Sequence, residues 1–182
     1  MILKETEIAG LIELHPTLLN DDRGWFMESY NKATFAKLNL HMDFVQDNLS
    51  FSKAGVMRGL HFQNKPYEQG KLVKVIAGEV LDVAVDLRPD STTFGRHYKV
   101  VLTAGQQNMF YIPEGFAHGF VALSDAYLFY KCTRNYHHPA DSGIRFDDPD
   151  FNIDWGVANP IISEKDKNLQ SFKAYKSALG LL

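Results

Sequence analysis

Gly78-Glu79-Val80-Leu81-Asp82-Val83-Ala84-Val85-Asp86-Leu87 is the stretch whose reading decides the fold. Leu81, Val83, Val85 and Leu87 share one parity, while Val80, Asp82, Ala84 and Asp86 share the other. That two-residue period predicts a β-strand with one oily face. From about residue 44 to residue 135 the surrounding text is short β-type runs broken by Gly, Pro, Asn and Asp. Further strands are expected over Gly10 to Pro16, Phe26 to Tyr30, Gly70 to Ile76, His97 to Leu102, Met109 to Ile112, Gly119 to Ala122 and Leu128 to Thr133, many of them aromatic or β-branched. Antiparallel strands in such numbers must close or stack to protect their edges, and a jelly roll does so with about eight. The expectation is therefore an all-β jelly roll with two peripheral helices. Asn31 caps the first, which runs to Leu38, and the capping-box text Ser163-Glu164-Lys165-Asp166 opens the second toward Lys176.

The 182 residues contain no repeat, low-complexity tract or linker, so one domain over 1–182 is expected. Nineteen basic residues against 22 acidic ones give a net charge of −3, which disfavours nucleic acid as a partner. The most apolar region, Leu72 to Leu87, is interrupted by Lys74, Glu79, Asp82 and Asp86, so no membrane span is predicted. The lone Cys132 excludes an internal disulfide. With no apolar signal core after Met1-Ile2-Leu3-Lys4-Glu5, a cytoplasmic location is expected.

Of the seven histidines, His15, His41 and His97 have no motif around them, and His137 and His138 sit in a polar, proline-ended stretch. His61, in Arg58-Gly59-Leu60-His61-Phe62-Gln63, and His118, in Pro113-Glu114-Gly115-Phe116-Ala117-His118, lie in strand contexts bounded by glycine. Their spacing resembles the two metal motifs of cupins, with Glu68 where the carboxylate ligand would be. Gln63 stands where a second histidine ligand is wanted, and it is a far weaker ligand for a transition metal. Asp82 and Asp86 read as barrel-lining or turn-binding acids, since no base partner is evident.

Nine phrases in register carry a more specific signal. They are Asp22-Arg23-Gly24-x-Phe26-x-Glu28-Ser29-Tyr30, Phe44-Val45-Gln46-Asp47-Asn48, the Arg58 to Gln63 stretch, Gly70-Lys71-Leu72-Val73, Gly78 to Asp86, Thr93-Phe94-Gly95, Ile112 to Phe120, Tyr130-Lys131 and Ser163-x-Lys165-Asp166. From about residue 8 to 168 this run resembles the dTDP-4-dehydrorhamnose 3,5-epimerase family. That resemblance implies a cupin-type jelly roll with no metal or organic cofactor. It also implies conversion of dTDP-4-dehydro-6-deoxy-D-glucose into dTDP-4-dehydro-L-rhamnose, on the way to rhamnose for cell-surface polysaccharide. Carbons 3 and 5 both flank the ketone at carbon 4, so the carbonyl oxygen can carry the charge left by removing either proton. Inversion then needs a base, an acid on the opposite face and a donor for the enolate oxygen.

By this resemblance His61 is the base, Asp166 its partner, Tyr130 the opposite-face acid and Lys71 the enolate stabiliser. Read without it, Asp166 serves a helix cap, Tyr130 is a core tyrosine and Lys71 is a solvated face charge. Arg23 and Arg58 match the family's phosphate-side residues, suited to forked contact with phosphate oxygens. Phe26, Glu28, Gln46, Asn48, His118 and Lys165 match other ligand-contacting positions. Arg23, Phe26 and Glu28 are expected to be lent by a neighbouring subunit, which implies a homodimer. One departure stands out: the family usually shows Tyr-x-Pro after the Tyr-Lys phrase, whereas here the text is Tyr136-His137-His138-Pro139. In the kept register Tyr136 is a stacking residue and Asp141 a nearby acidic contact. Three alternatives stay open at this level: epimerisation at carbon 3 alone, a metal-dependent cupin using His61, Glu68 and His118, and a sugar-nucleotide-binding cupin without turnover.

Overall fold

A computed structural model describes all residues 1–182. Its thirteen strands are β1 (Ile2–Glu5), β2 (Ile12–His15), β3 (Leu19–Asp21), β4 (Gly24–Phe26), β5 (Gln46–Ser52), β6 (Met57–Gln63), β7 (Lys71–Ala77), β8 (Glu79–Asp86), β9 (His97–Thr103), β10 (Met109–Ile112), β11 (Phe116–Ala122), β12 (Ala126–Cys132) and β13 (Asp141–Gly143). They build a six-stranded sheet in the order β1-β2-β10-β7-β12-β5, a five-stranded sheet in the order β13-β6-β11-β8-β9, and the separate hairpin β3-β4. Every ladder is antiparallel, as in a jelly roll.

The decisive stretch is strand β8, but both of its faces are covered rather than one. Val80 and Ala84 point between the sheets, where they meet Val73, Val75 and Leu128 of the facing sheet in the main core. Val83, Val85 and Leu87 point outward into a second core with Phe151, Trp155 and Phe172 from the C-terminal segment. That segment is mostly irregular, so it leaves no periodic trace in the sequence by which to foresee the cover. A third cluster packs Phe35, Leu40 and Met42 on Leu14, Leu72 and Met109 at the outside of the six-stranded sheet.

The helix expected after Asn31 forms as α1 (Lys32–Lys37), with the Asn31 side chain accepting from the Ala33 and Thr34 backbone N–H groups. The strand expected over Phe26 to Tyr30 ends at Phe26. Beyond it, Tyr30 turns inward to donate its hydroxyl proton to the Met42 carbonyl at 2.9 Å and packs edge-on against Phe35. The single helix expected from Ser163 toward Lys176 is two helices, α2 (Glu164–Lys167) and α3 (Phe172–Ala178). The break is tertiary: Gln170 forms a parallel bridge with Ile144 and accepts from the Arg145 N–H at 3.0 Å. Ser171 then caps α3 afresh through Ala174 N–H.

Candidate active site

Along the inward rows of several strands, apolar residues give way to polar ones two positions away, the spacing that keeps a side chain on the same face. Leu128 is followed by Tyr130 on β12, Val73 is preceded by Lys71 on β7, Phe120 is preceded by His118 on β11, and Val80 is followed by Asp82 on β8. The polar members, with His61 of β6, collect between the sheets. There all but the fully buried Asp82 line two adjoining cavities of about 330 and about 320 Å³ that share His61, Lys71, Tyr130 and Lys165. Arg58, His118 and Asp166 line the first, and Gln46, Asn48, Tyr136 and Asp141 the second.

His61 and Asp166 are the pair on which the site turns. The His61 Nε2 lies 2.7 Å from Asp166 Oδ1, and the Gly59 backbone N–H donates to Asp166 Oδ2 at 3.1 Å. Ser163 caps α2 by accepting from the Asp166 N–H at 3.1 Å, so half of the predicted capping box is present. The Asp166 carboxylate does not close the other half; it leaves its helix for His61, 105 positions away in sequence. Burial by itself would raise the Asp166 carboxyl, but the His61 hydrogen bond and charge, the Gly59 N–H and Lys165 together hold it below the usual carboxylate range. An ionised Asp166 accepts a proton-bearing Nε2, which leaves the Nδ1 lone pair of a neutral His61 free to act as a base.

Glycine at 59 makes this approach possible. Its φ is +109°, and a Cβ there would lie 2.6 Å from the His118 carbonyl oxygen and 2.7 Å from the Gly119 Cα. β6 and β11 therefore touch backbone to backbone, and the β11–β6 register shifts between His118 and Phe120 just where His61 pairs with His118.

Tyr130 faces the cavity from the opposite sheet. Burial pushes its phenol above the usual range, with the nearby Cys132 thiol adding to the effect and Arg58 opposing it, so a neutral proton donor sits across from the imidazole. Lys71, cross-strand from Cys132, makes no ion pair or hydrogen bond with protein. Burial lowers its ammonium against the pull of Cys132, Asp82 and Asp141, leaving a poorly solvated cation at the cavity wall. His118 is buried, and its Nε2 meets Asp82 Oδ1 at 2.9 Å and Oδ2 at 3.0 Å. Burial lowers its imidazolium, Asp82 resists, and Lys71 and His61 add to the lowering.

Asp82 and Asp86 are barrel and turn acids as the sequence suggested, but Asp82 does have an imidazole partner, His118, which comes from a neighbouring strand and so leaves no local trace. Asp82 lines the barrel, while Asp86 binds a turn by accepting from Arg88 Nε at 2.8 Å, Ser91 Oγ at 2.6 Å and Thr93 Oγ1 at 2.6 Å. At the outer cavity Lys165 Nζ donates to Asp141 Oδ2 at 2.5 Å, and Tyr136 N–H donates to Gln46 Oε1 at 2.8 Å. Arg58 is held by Ser52 Oγ at 3.1 Å and the Phe51 carbonyl at 3.1 Å. Ser50, missed in the sequence, lines the inner cavity, and it shares the parity of Gln46 and Asn48 that would have found it.

Three predicted residues are not brought to the site of their own chain. Arg23 pairs with Asp21 on the β3-β4 hairpin, Phe26 is 68% exposed, and Glu28 accepts from Thr34 Oγ1 at 2.7 Å. The metal alternative loses its geometry, because Glu68 opens onto a neighbouring cavity of about 470 Å³ that neither His61 nor His118 lines, while those two are engaged by Asp166 and Asp82. No three His, Cys, Asp or Glu side chains are grouped so as to hold a metal ion.

The chain is similar to known proteins over nearly its whole length. The family model described as dTDP-4-dehydrorhamnose 3,5-epimerase matches residues 5–174. A dTDP-4-dehydrorhamnose 3,5-epimerase of Methanothermobacter thermautotrophicus is 54% identical over 169 residues, covering 90% of each chain. Among solved structures, the dTDP-4-dehydrorhamnose 3,5-epimerase of Elizabethkingia anophelis superposes with a TM-score of 0.92 at 45% identity, covering 96% of this chain and 97% of that one. The Legionella pneumophila dTDP-6-deoxy-D-glucose-3,5-epimerase, solved in complex with dTDP-4-keto-L-rhamnose, gives a TM-score of 0.93 at 41% identity over 98% of this chain and 96% of its own.

Proposed function

The chain belongs to the dTDP-4-dehydrorhamnose 3,5-epimerase family, and from that premise we propose that it inverts carbons 3 and 5 of dTDP-4-dehydro-6-deoxy-D-glucose with its own side chains as acid and base. The observation that carries the reading is His61 on the five-stranded sheet, paired at 2.7 Å with Asp166 of α2 and opposed across the cavity by Tyr130 and Lys71 on the six-stranded sheet.

The His61 Nδ1 removes the proton from a carbon beside the ketone, and the electron pair of that C–H bond moves onto the carbonyl oxygen as an enolate. Lys71 donates to that oxygen, where its poor solvation strengthens the attraction. Tyr130 returns a proton to the same carbon from the other face, inverting it, while Asp166 steadies the imidazolium. Exchange with solvent strips the proton from His61 and restores the phenol, so the same groups act again at the second carbon. Arg58, Gln46, Asn48, His118, Tyr136, Asp141 and Lys165 hold the nucleotide and sugar.

A second copy of the chain completes this site in our reading. Arg23, Phe26 and Glu28 line neither cavity of their own protomer, and the hairpin that carries Arg23 and Phe26 leaves Leu19, Trp25 and Phe26 exposed. The outer face of β5 and its neighbour β12 likewise exposes Leu49, Phe51 and Tyr127. Patches of this kind mark interaction surfaces, and a homodimer that lends the hairpin across its two-fold axis satisfies both observations. No helix is long and apolar enough to cross a membrane, and a nucleotide-sugar substrate fits a cytoplasmic enzyme.

Incubation with the 4-keto sugar nucleotide in heavy water, followed by proton NMR, tests the function. Deuterium at both carbons 3 and 5 is expected. Exchange at carbon 3 alone would reduce the activity to a single inversion, and binding without exchange would remove it.

A further inference from the structure

The departure at Tyr136-His137-His138-Pro139 has a structural counterpart outside the reacting groups. Within that stretch, the ring of His137 stacks on Tyr67 with centroids 3.8 Å apart and planes 15° from parallel. The backbone of the same residue is tied down as well, because the His137 N–H donates to Gln63 Oε1 at 2.8 Å. That bond fixes the orientation of a buried amide whose Nε2 has no partner. The two loops involved, between β6 and β7 and between β12 and β13, are laced at further points. Gln69 Nε2 donates to the Arg134 carbonyl at 2.6 Å, and the Asn64 N–H donates to the Ala140 carbonyl at 2.9 Å.

One residue before His137 stands Tyr136, 48% exposed, at the wall of the outer cavity with its N–H on Gln46. Its ring touches no part of the β6–β7 loop among its aromatic contacts; its one ring neighbour is His138, edge-on at 6.3 Å. Apart from the contact of its hydroxyl with Asp141, this exposed ring depends on the loop backbone beneath it. Beside its bond to Gln46, that backbone is anchored through the stacked pair next door.

We infer that Tyr67 and His137 form a clamp that positions Tyr136 over the cavity mouth, setting how tightly the nucleotide end of the ligand is held without touching it. The inference rests on the binding role proposed for Tyr136. Both clamp residues are positioning residues: neither reaches the reacting atoms, so opening the clamp lowers the fraction of molecules with a competent mouth and leaves proton transfer alone. Losing an aromatic stack at a partly exposed site corresponds to a weakening of about three- to tenfold in apparent affinity.

The test compares wild type with Tyr67→Ala, His137→Ala, the double variant and Tyr67→Phe. Steady-state turnover of the 4-keto sugar nucleotide and the Kd for dTDP alone are measured beside the melting temperature. KM and the dTDP Kd should rise about three- to tenfold in either alanine variant, with kcat within about twofold of wild type. The double variant should be no worse than either single one, and Tyr67→Phe should restore both constants. An unchanged KM and Kd in the alanine variants would overturn the clamp, as would a loss of kcat at constant KM or a defect that Tyr67→Phe leaves unrepaired. If wild type failed to turn over, the function proposed above would fall, while the dTDP Kd would still decide the clamp.

Discussion

Replacing Asp166 by asparagine removes a charge while keeping the shape, and the site geometry sets the outcome. In the native pair one carboxylate oxygen serves the His61 Nε2 at 2.7 Å and the other the Gly59 N–H at 3.1 Å. An amide has a single acceptor oxygen for those two donors. If it turns that oxygen to Gly59, its NH₂ faces Nε2 and drives the ring proton to Nδ1, the atom that must accept. If it turns the oxygen to His61, the tautomer survives but the NH₂ abuts the Gly59 N–H and the imidazolium loses its counter-charge. Two opposite charges about 4 Å apart at an effective dielectric of about 20 attract by roughly 4 kcal/mol. Because the His61 side chain retains 31% exposure, open water screens part of that interaction. A loss on the order of 3 kcal/mol in the transition state remains, so kcat should fall by about 10² to 10³ with KM little changed. The assay is single-turnover conversion of the 4-keto sugar nucleotide, paired with ¹⁵N NMR of the His61 ring. Wild type should show a protonated Nε2 and a bare Nδ1. A kcat within about tenfold of wild type in Asp166→Asn, or a wild-type ring protonated at Nδ1, would refute the reasoning.

Other consequences follow from separate groups. Lys71→Met removes a cation that burial already disfavours and that no carboxylate pairs; kcat should drop by about 10² or more while the melting temperature holds or rises, since a desolvated charge has gone. Asp86 is held down to about 2 from its ordinary 3.8, burial being outweighed by hydrogen bonds from Arg88, Ser91 and Thr93. A depressed folded-state pKa of this size contributes about 2 kcal/mol that is complete above pH ~4 and lost as pH falls through ~2. Thermal melts of Asp86→Asn should therefore lie below wild type at pH 7 and converge on it near pH 2. Dialysis against a chelator should leave turnover intact, whereas activity restored only by added metal would revive the metal-dependent reading.

How much of this was legible in the sequence depends on whether the signal was local. The strand of Glu79 to Asp86, the β10 strand and the Asn31 cap were readable because alternation and capping chemistry lie within a few residues. The second buried face of that strand was not, because Phe151, Trp155 and Phe172 reach it from an aperiodic segment. Nor was the break after α2, which depends on Gln170 pairing with Ile144 rather than on a helix-breaking residue. Asp166 shows the limit most clearly. The text Ser163-x-x-Asp166 fits a helix cap on its own terms, and the cap's serine half is real. Nothing in the local text discloses that the carboxylate is spent on His61. The family resemblance supplied that pairing from outside the local text, and the same resemblance left the Tyr67–His137 stack unmarked because it arises where this chain departs from the pattern.

The central claim is that an imidazole and a phenol work on opposite faces of one keto sugar. Tyr130→Phe in heavy water isolates it, because the variant keeps the base and the enolate donor and loses only the opposite-face acid. Proton NMR of the recovered sugar should show deuterium entering beside the ketone with almost no inverted product. Inverted product formed at the wild-type rate would contradict the account.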